Sequence, residues 1–307
     1  MALSVGLDVI AGSQASIPRP PKPADNGDTP VSDYVPKGMS ADDRKALREA
    51  GREWVGTLGG FFGRNHPTKG QAGQNMSHFL GGGGKDRSFS APEVDEMMGS
   101  LNAPGKSVAT TLPEKFVELV HQDMQGGTAT IKRYLARNTG SSVNAGTNWF
   151  GVTAETGSKW FYAVGSFLMA CGGYAVRQGK VITIFYRIFI YDRYNWDVES
   201  NGVTKQGKET AVPESPLSIL LDDDKMDAIQ GLTLPNGTQP YFRRGKGYDG
   251  KTDSYIVNDA LMGALVESGD AKNFDMVGAG SVHWVRIGSN LPDPAPQPGV
   301  RSEGTVR

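Results

Sequence analysis

The chain has 307 residues, carries 32 Lys and Arg against 33 Asp and Glu, and is 38% hydrophobic with 41 glycines besides. A formal net charge of -1 leaves no global positive field to gather on nucleic acid or an anionic membrane, and the length allows one large domain or two small ones. The single cysteine, Cys171, excludes an intramolecular disulfide framework and a thiolate metal site.

Met1 to Gly12 has no basic leading region and contains Asp8, so it does not match a conventional secretory signal. The stretch 13–38 holds Ile17-Pro18-Arg19-Pro20-Pro21-Lys22-Pro23 but few large apolar groups to offset the cost of ordering a backbone, so 1–38 is expected to be a disordered arm. Ser40-Ala41-Asp42-Asp43 after Met39 matches a capping box and predicts a helix from Ala41 to Val55. Gly56 to Gly84 is dense in glycine and reads as loops around a short segment containing Met76, Phe79 and Leu80. Ser90-Ala91-Pro92-Glu93 is a second capping box, followed by Val94, Met97, Met98 and Leu101 at amphipathic helical spacing. Thr111-Leu112-Pro113-Glu114 reads as a third helix start, before Phe116, Leu119, Val120 and Met124. Residues 40–135 are therefore expected to form a helical segment.

Beyond Gly140 the composition shifts to aromatic and β-branched runs punctuated by glycine and Asn-Gly pairs, which predicts a β-rich domain over 140–290. Trp160 to Val176 is 17 residues without a charge, the lower limit of a membrane-spanning helix. Its internal glycines, and the polar Arg177-Gln178-Gly179-Lys180 before a second apolar run from Val181 to Tyr191, favour a buried β-hairpin instead, so membrane insertion is not expected. Alternation puts Ile182, Ile184, Tyr186, Ile188 and Ile190 on a core face. An insertion is expected at 198–248, including a helix around Leu217 to Leu232. Another helix capped by Asn258, strands near Phe274 to Val277 and Ser281 to Ile287, and a disordered tail at 291–307 complete the expectation. The fold class is α+β, an N-terminal helical segment followed by a β-dominated antiparallel domain.

Gly245 to Thr252 satisfies the letters of a phosphate-binding loop, but the residues after it read as a strand where such a loop needs a helix, so no nucleotide is expected. The four histidines, His66, His78, His121 and His283, have no helical pair spacing, and no zinc is expected. The informative stretch is Tyr191-Asp192-Arg193-Tyr194-Asn195-Trp196-Asp197, directly after the most hydrophobic strand, where a rigid element can preorganise polar groups. Asp192 and Asp197, with Tyr194 and Asn195 between them, could take a divalent cation through oxygen ligands or divide into a general acid and a base. The alternative is structural: Asp192 pairs with Arg187 or Arg193, Asn195 makes an Asx turn and Trp196 closes the core.

The run Trp160 to Phe167, the hydrophobic hairpin and Tyr191 to Asp197 resemble toxin-type C-terminal domains of large secreted bacterial antagonism proteins. The resemblance implies a Gly-Lys pair after the motif, which Gly250-Lys251 would supply across the insertion, making Lys251 the cationic partner of Asp192 and Asp197. A His-Arg pair expected in the following helix is replaced here by Val266-Glu267. The chain is also similar, more distantly, to the colicin M type of lipid-linked peptidoglycan-precursor phosphodiesterase. These likenesses imply an effector delivered to a competitor cell without a conventional signal peptide, acting on the cell envelope as a hydrolase and served by a cognate immunity or delivery protein. The contrasting expectation is a non-enzymatic structural or interaction protein of a bacterial or phage particle.

Overall fold

The computed structural model describes residues 17–20, 70–81, 83–136, 148–195, 209–213, 242–246, 250–251, 253–258, 266, 271–288 and 300–306. The expected helices at 41–55, 217–232 and after Asn258, together with Trp196 and Asp197, lie outside the described residues. The chain divides into two compact units, the first made of residues 1–22, 86–192 and 275–307, the second of 23–85 and 193–274.

The centre of the first unit is a hairpin of two long strands, β4 (Ser166–Gln178) and β5 (Val181–Tyr194), the last two residues of β5 passing into the second unit. Antiparallel pairing runs from Leu168↔Tyr191 to Gln178↔Val181, and Gly179 takes the positive φ of +62° that opens the tight turn. The uncharged stretch that reached membrane-helix length is thus a short helix, α4 (Lys159–Ala163), running into β4. No helix among the described residues is long and apolar enough to cross a membrane.

Short strands fill both edges of this hairpin. β2 (Ile131–Tyr134) and β3 (Phe150–Thr153) share the outer side of β4, while β9 (Phe274–Ala279) and β10 (Val282–Ile287) share the outer side of β5. β1 (Arg87–Phe89) and β11 (Val300–Val306) then add in parallel to β9 and β10. The result is an α+β arrangement on a mixed sheet, mostly antiparallel, with two parallel pairs that the expectation of an antiparallel domain did not include. β11 falls within 291–307, the rest of which lies outside the described residues.

Helices cover one face of the sheet. α2 (Ala91–Gly99) begins as the second capping box predicted, with the Ser90 N–H donated to Glu93 Oε2 at 2.7 Å. α3 (Ala103–Gly126) differs from expectation, because it starts at Asn102, whose Oδ1 accepts from the Gly105 N–H at 2.9 Å, and runs straight through Pro113. The supposed start at Thr111 is therefore mid-helix. There Thr110 and Thr111 donate their hydroxyls back to the carbonyls of Lys106 and Ser107, the bond a helical Ser or Thr makes when it does not cap. Leu112, Phe116, Val120 and Met124 are buried, and the Phe116 ring meets Tyr134 and Tyr186 at 6.2 and 6.1 Å. Arg177 Nη1 donates to the Met124 carbonyl at 2.9 Å, placing a cation at the negative end of the helix.

Ile182, Ile184, Tyr186, Ile188 and Ile190 are buried as their alternation predicts. The opposite face is apolar too. Tyr174 stacks on its register partner Phe185 at 4.8 Å, and Trp284 and Val176 join them in a buried cluster. At the junction of β9 and β10, Asp95 accepts from the Ser281 N–H and hydroxyl at 3.0 and 2.6 Å, and Arg187 donates to the carbonyls of Gly280 and Ala279 at 2.8 and 3.2 Å. Burial lowers the Arg187 pKa, and the nearby Asp95 charge opposes that shift.

The second unit holds α1 (Gly70–Leu80) and a three-stranded antiparallel sheet of β6 (Glu209–Pro213), β7 (Phe242–Lys246) and β8 (Asp253–Asn258), with β8 in the middle. α1 is the short segment around Met76, Phe79 and Leu80 that the sequence sets between glycine-rich stretches. Interior glycines cost a helix only about 1 kcal/mol each, which burial of Phe79 can offset. The Gly-rich stretch with phosphate-loop letters is the hairpin between β7 and β8, closed by Lys246↔Asp253.

Candidate functional site

Asp192 is the last residue of the first unit, one register position beyond the paired Tyr191, and is half-buried. Strand alternation gives it the same face of β5 as Tyr194. Tyr194 and Asn195 begin the second unit and are also half-buried. Lys251 is exposed in the β7–β8 loop after Gly250, which has φ +68°, and its carbonyl accepts from Lys246 Nζ at 3.4 Å. Asp197 lies outside the described residues.

Tyr194 is held in an aromatic cluster of the second unit. Its ring stacks on Phe274 at 5.0 Å with an angle of 17° and packs against Phe79 at 5.7 Å, while its hydroxyl lies 3.9 Å from Met76 Sδ. His78 completes the group, edge-on to Phe274 at 4.5 Å and donating from Nε2 to the Lys85 carbonyl at 2.5 Å. A tyrosine packed against two rings is well placed to fix the strand end, which is the role a site needs from a neighbouring anchor.

A polar arrangement in the first unit, which includes Tyr191 of β5, was not singled out in the sequence. Arg19 donates through Nη1 to Asp275 Oδ2 at 2.8 Å and through Nη2 to Asp86 Oδ2 at 2.5 Å. The Tyr191 hydroxyl donates to the other oxygen of Asp275 at 3.2 Å. Asp275 is only 8% exposed, and a carboxylate at that depth needs charge compensation and hydrogen bonds on both oxygens. Asp86 raises the Arg19 pKa, with Asp275 and Tyr191 adding to it against a partial loss from burial. Arg19, in the described segment 17–20, is thus held by charge pairing with groups distant in the sequence. One signal was available: Asp275 interrupts Phe274 to Val277, an otherwise apolar run whose residues are all buried.

Chemically, the first unit offers the carboxylates of Asp86 and Asp275 and the Tyr191 hydroxyl, with Asp192 adjoining Tyr191 in the chain. Among the described residues no group of three or more His, Cys, Asp or Glu is placed to hold a metal ion. No family model, curated protein or solved structure matches this chain.

Proposed function

We infer that the protein is a secreted bacterial effector of toxin type, acting on a competitor cell, with its working groups at the end of β5. The single observation supporting this reading is the position of the motif: β5 is paired along both sides, and Asp192 lies near the end of that strand, next to Tyr191, whose hydroxyl is bonded to Asp275. In this reading Asp192 and Asp197 act on the substrate or hold a divalent cation, Asn195 orients it, and Lys251 offsets developing negative charge. Hydrolysis of a cell-envelope substrate is the reaction class that the resemblance to toxin domains suggests, and an immunity or delivery protein would be the matching partner.

A second reading, a non-enzymatic interaction protein of a bacterial or phage particle, is favoured by the arm segment bound through Arg19, since docked arms are a means of joining subunits. Expression in susceptible cells with and without periplasmic targeting separates the two. Growth arrest in one compartment, relieved by Asp192→Asn in a protein that still folds, supports the effector. Unimpaired growth in every compartment overturns it.

A further inference from the structure

Asp86 and Asp275 are brought level by the sheet itself. The parallel pair of β1 and β9 has Arg87 opposite Met276, and continuing that register back by one residue sets Asp86 beside Asp275. In parallel strands residues at the same level point to the same face, so two carboxylates share one spot, one of them buried. Like charges so placed repel unless a cation lies between them. Arg19 does lie between them, one nitrogen of its planar fork on each acid, and it comes from a position 256 residues from Asp275 and 67 from Asp86. A lysine ammonium lacks that fork and would have to bridge both acids from a single nitrogen, a poorer fit to the two-way bridge.

The segment that presents Arg19 is neither helix nor strand, and Pro18 and Pro20 flank the arginine, with Pro20 buried. Residues that precede proline are confined to extended conformations, so Ile17 and Arg19 are partly ordered before docking, which lowers the entropy cost of binding. Prolines also lack the N–H needed to extend a sheet, so recognition rests on the guanidinium and on burial of Pro20 rather than on strand addition.

We propose that Asp86, Asp275 and Tyr191 form a receptor site for the guanidinium of an extended Pro-Arg-Pro peptide, a site that the chain's own arm fills and that an arginine peptide of the same chemistry enters when the arm leaves. The site does not depend on the effector reading.

The test uses the full chain carrying Arg19→Asp, which places a third carboxylate in the site and repels the arm. A fluorescent synthetic peptide spanning Ser13 to Lys22 is titrated against it at low salt, with polarisation as the readout. The peptide binds the Arg19→Asp chain about ten-fold or more tighter than it binds the wild-type chain, where the arm competes. Peptide with Lys in place of Arg19 binds more weakly, and adding Asp86→Asn and Asp275→Asn to the Arg19→Asp chain abolishes binding. Equal binding to wild type and Arg19→Asp, no binding to Arg19→Asp, or binding that survives loss of both carboxylates overturns the proposal. Arg19→Gln, which empties the site without adding charge, gives the same comparison if Arg19→Asp does not fold by circular dichroism.

Discussion

Gly278 of β9 lies so close to Val94 of α2 that a Cβ built on the glycine would stand 2.6 Å from Val94 Cγ2 and 3.0 Å from Ile190 Cγ1. The missing side chain is what lets the helix settle onto the sheet, and Val94 is fully buried there. Gly278→Ala is expected to destabilise the fold by about 1 to 3 kcal/mol through overpacking. Combining it with Val94→Ala, which clears the same space, should cost less than the sum of the two single changes. Denaturant unfolding of the three variants checks this. Strict additivity would mean that the two residues do not compete for the same volume.

The β4–β5 hairpin was legible because two apolar runs flank a short polar turn, and Gly179 supplies the conformation that turn requires. The first turn of α2 was legible in Ser90 and Glu93. What the sequence hides is order imposed from a distance. β1, β2 and β3 are three or four residues long and draw their definition from longer partners. Arg19 and Asp275 are 256 positions apart, so no local pattern links them. Tyr194 and Phe274 are 80 positions apart, and only the fold stacks them.

Tyr174 has a buried hydroxyl without a hydrogen-bond partner, and burial pushes its pKa up to about 12 from an ordinary 10.0. Tyr174→Phe removes that polar atom while keeping the ring stacked on Phe185, and should be neutral or stabilise by up to about 1 kcal/mol. The sign with pH follows from a raised folded value. The wild-type phenol contributes nothing pH-dependent below about 10, then loses stability as pH rises towards 12, because the unfolded chain ionises first. Chemical unfolding across that alkaline range should therefore fall more steeply for wild type than for Tyr174→Phe. Parallel curves would rule out burial of this hydroxyl.

At the far end of α3, Asp123 receives Lys132 Nζ on Oδ1 at 2.8 Å and the Tyr134 hydroxyl on Oδ2 at 2.5 Å, tying the helix to β2. Lys132 first, then Tyr134, lowers the Asp123 pKa, while burial and Asp123 together raise that of Tyr134. A depressed carboxyl contributes stability above its unfolded value of 3.8, and this is lost as pH falls through the lower folded value. Asp123→Asn should therefore melt below wild type at neutral pH, with the gap closing in strong acid. Because the pair is partly exposed, added salt should narrow the neutral gap as well. A gap unchanged by acid and salt would assign the effect to packing alone.

The site variants carry the greatest weight for function. Asp192 is half-buried at a strand end, and Asp197 and Lys251 complete the set that the toxin likeness joins to it. If these groups act on a substrate, Asp192→Asn, Asp197→Asn and Lys251→Met should each abolish toxicity while moving stability by only about 0 to 1 kcal/mol, the usual worth of an exposed charge pair. If Asp192 is instead a structural acid at the end of β5, its replacement should cost about 1 to 3 kcal/mol by disturbing hydrogen bonds, and toxicity should fall only as far as the folded fraction does. Tyr194→Phe separates anchoring from chemistry. It keeps the ring on Phe274 and removes only a hydroxyl directed at Met76 Sδ, so a chain in which Tyr194 is an anchor retains both its melting temperature and its toxicity. Melting temperature and growth arrest measured together for the four variants decide the matter: full toxicity in folded Asp192→Asn, Asp197→Asn and Lys251→Met removes the end of β5 as the working site.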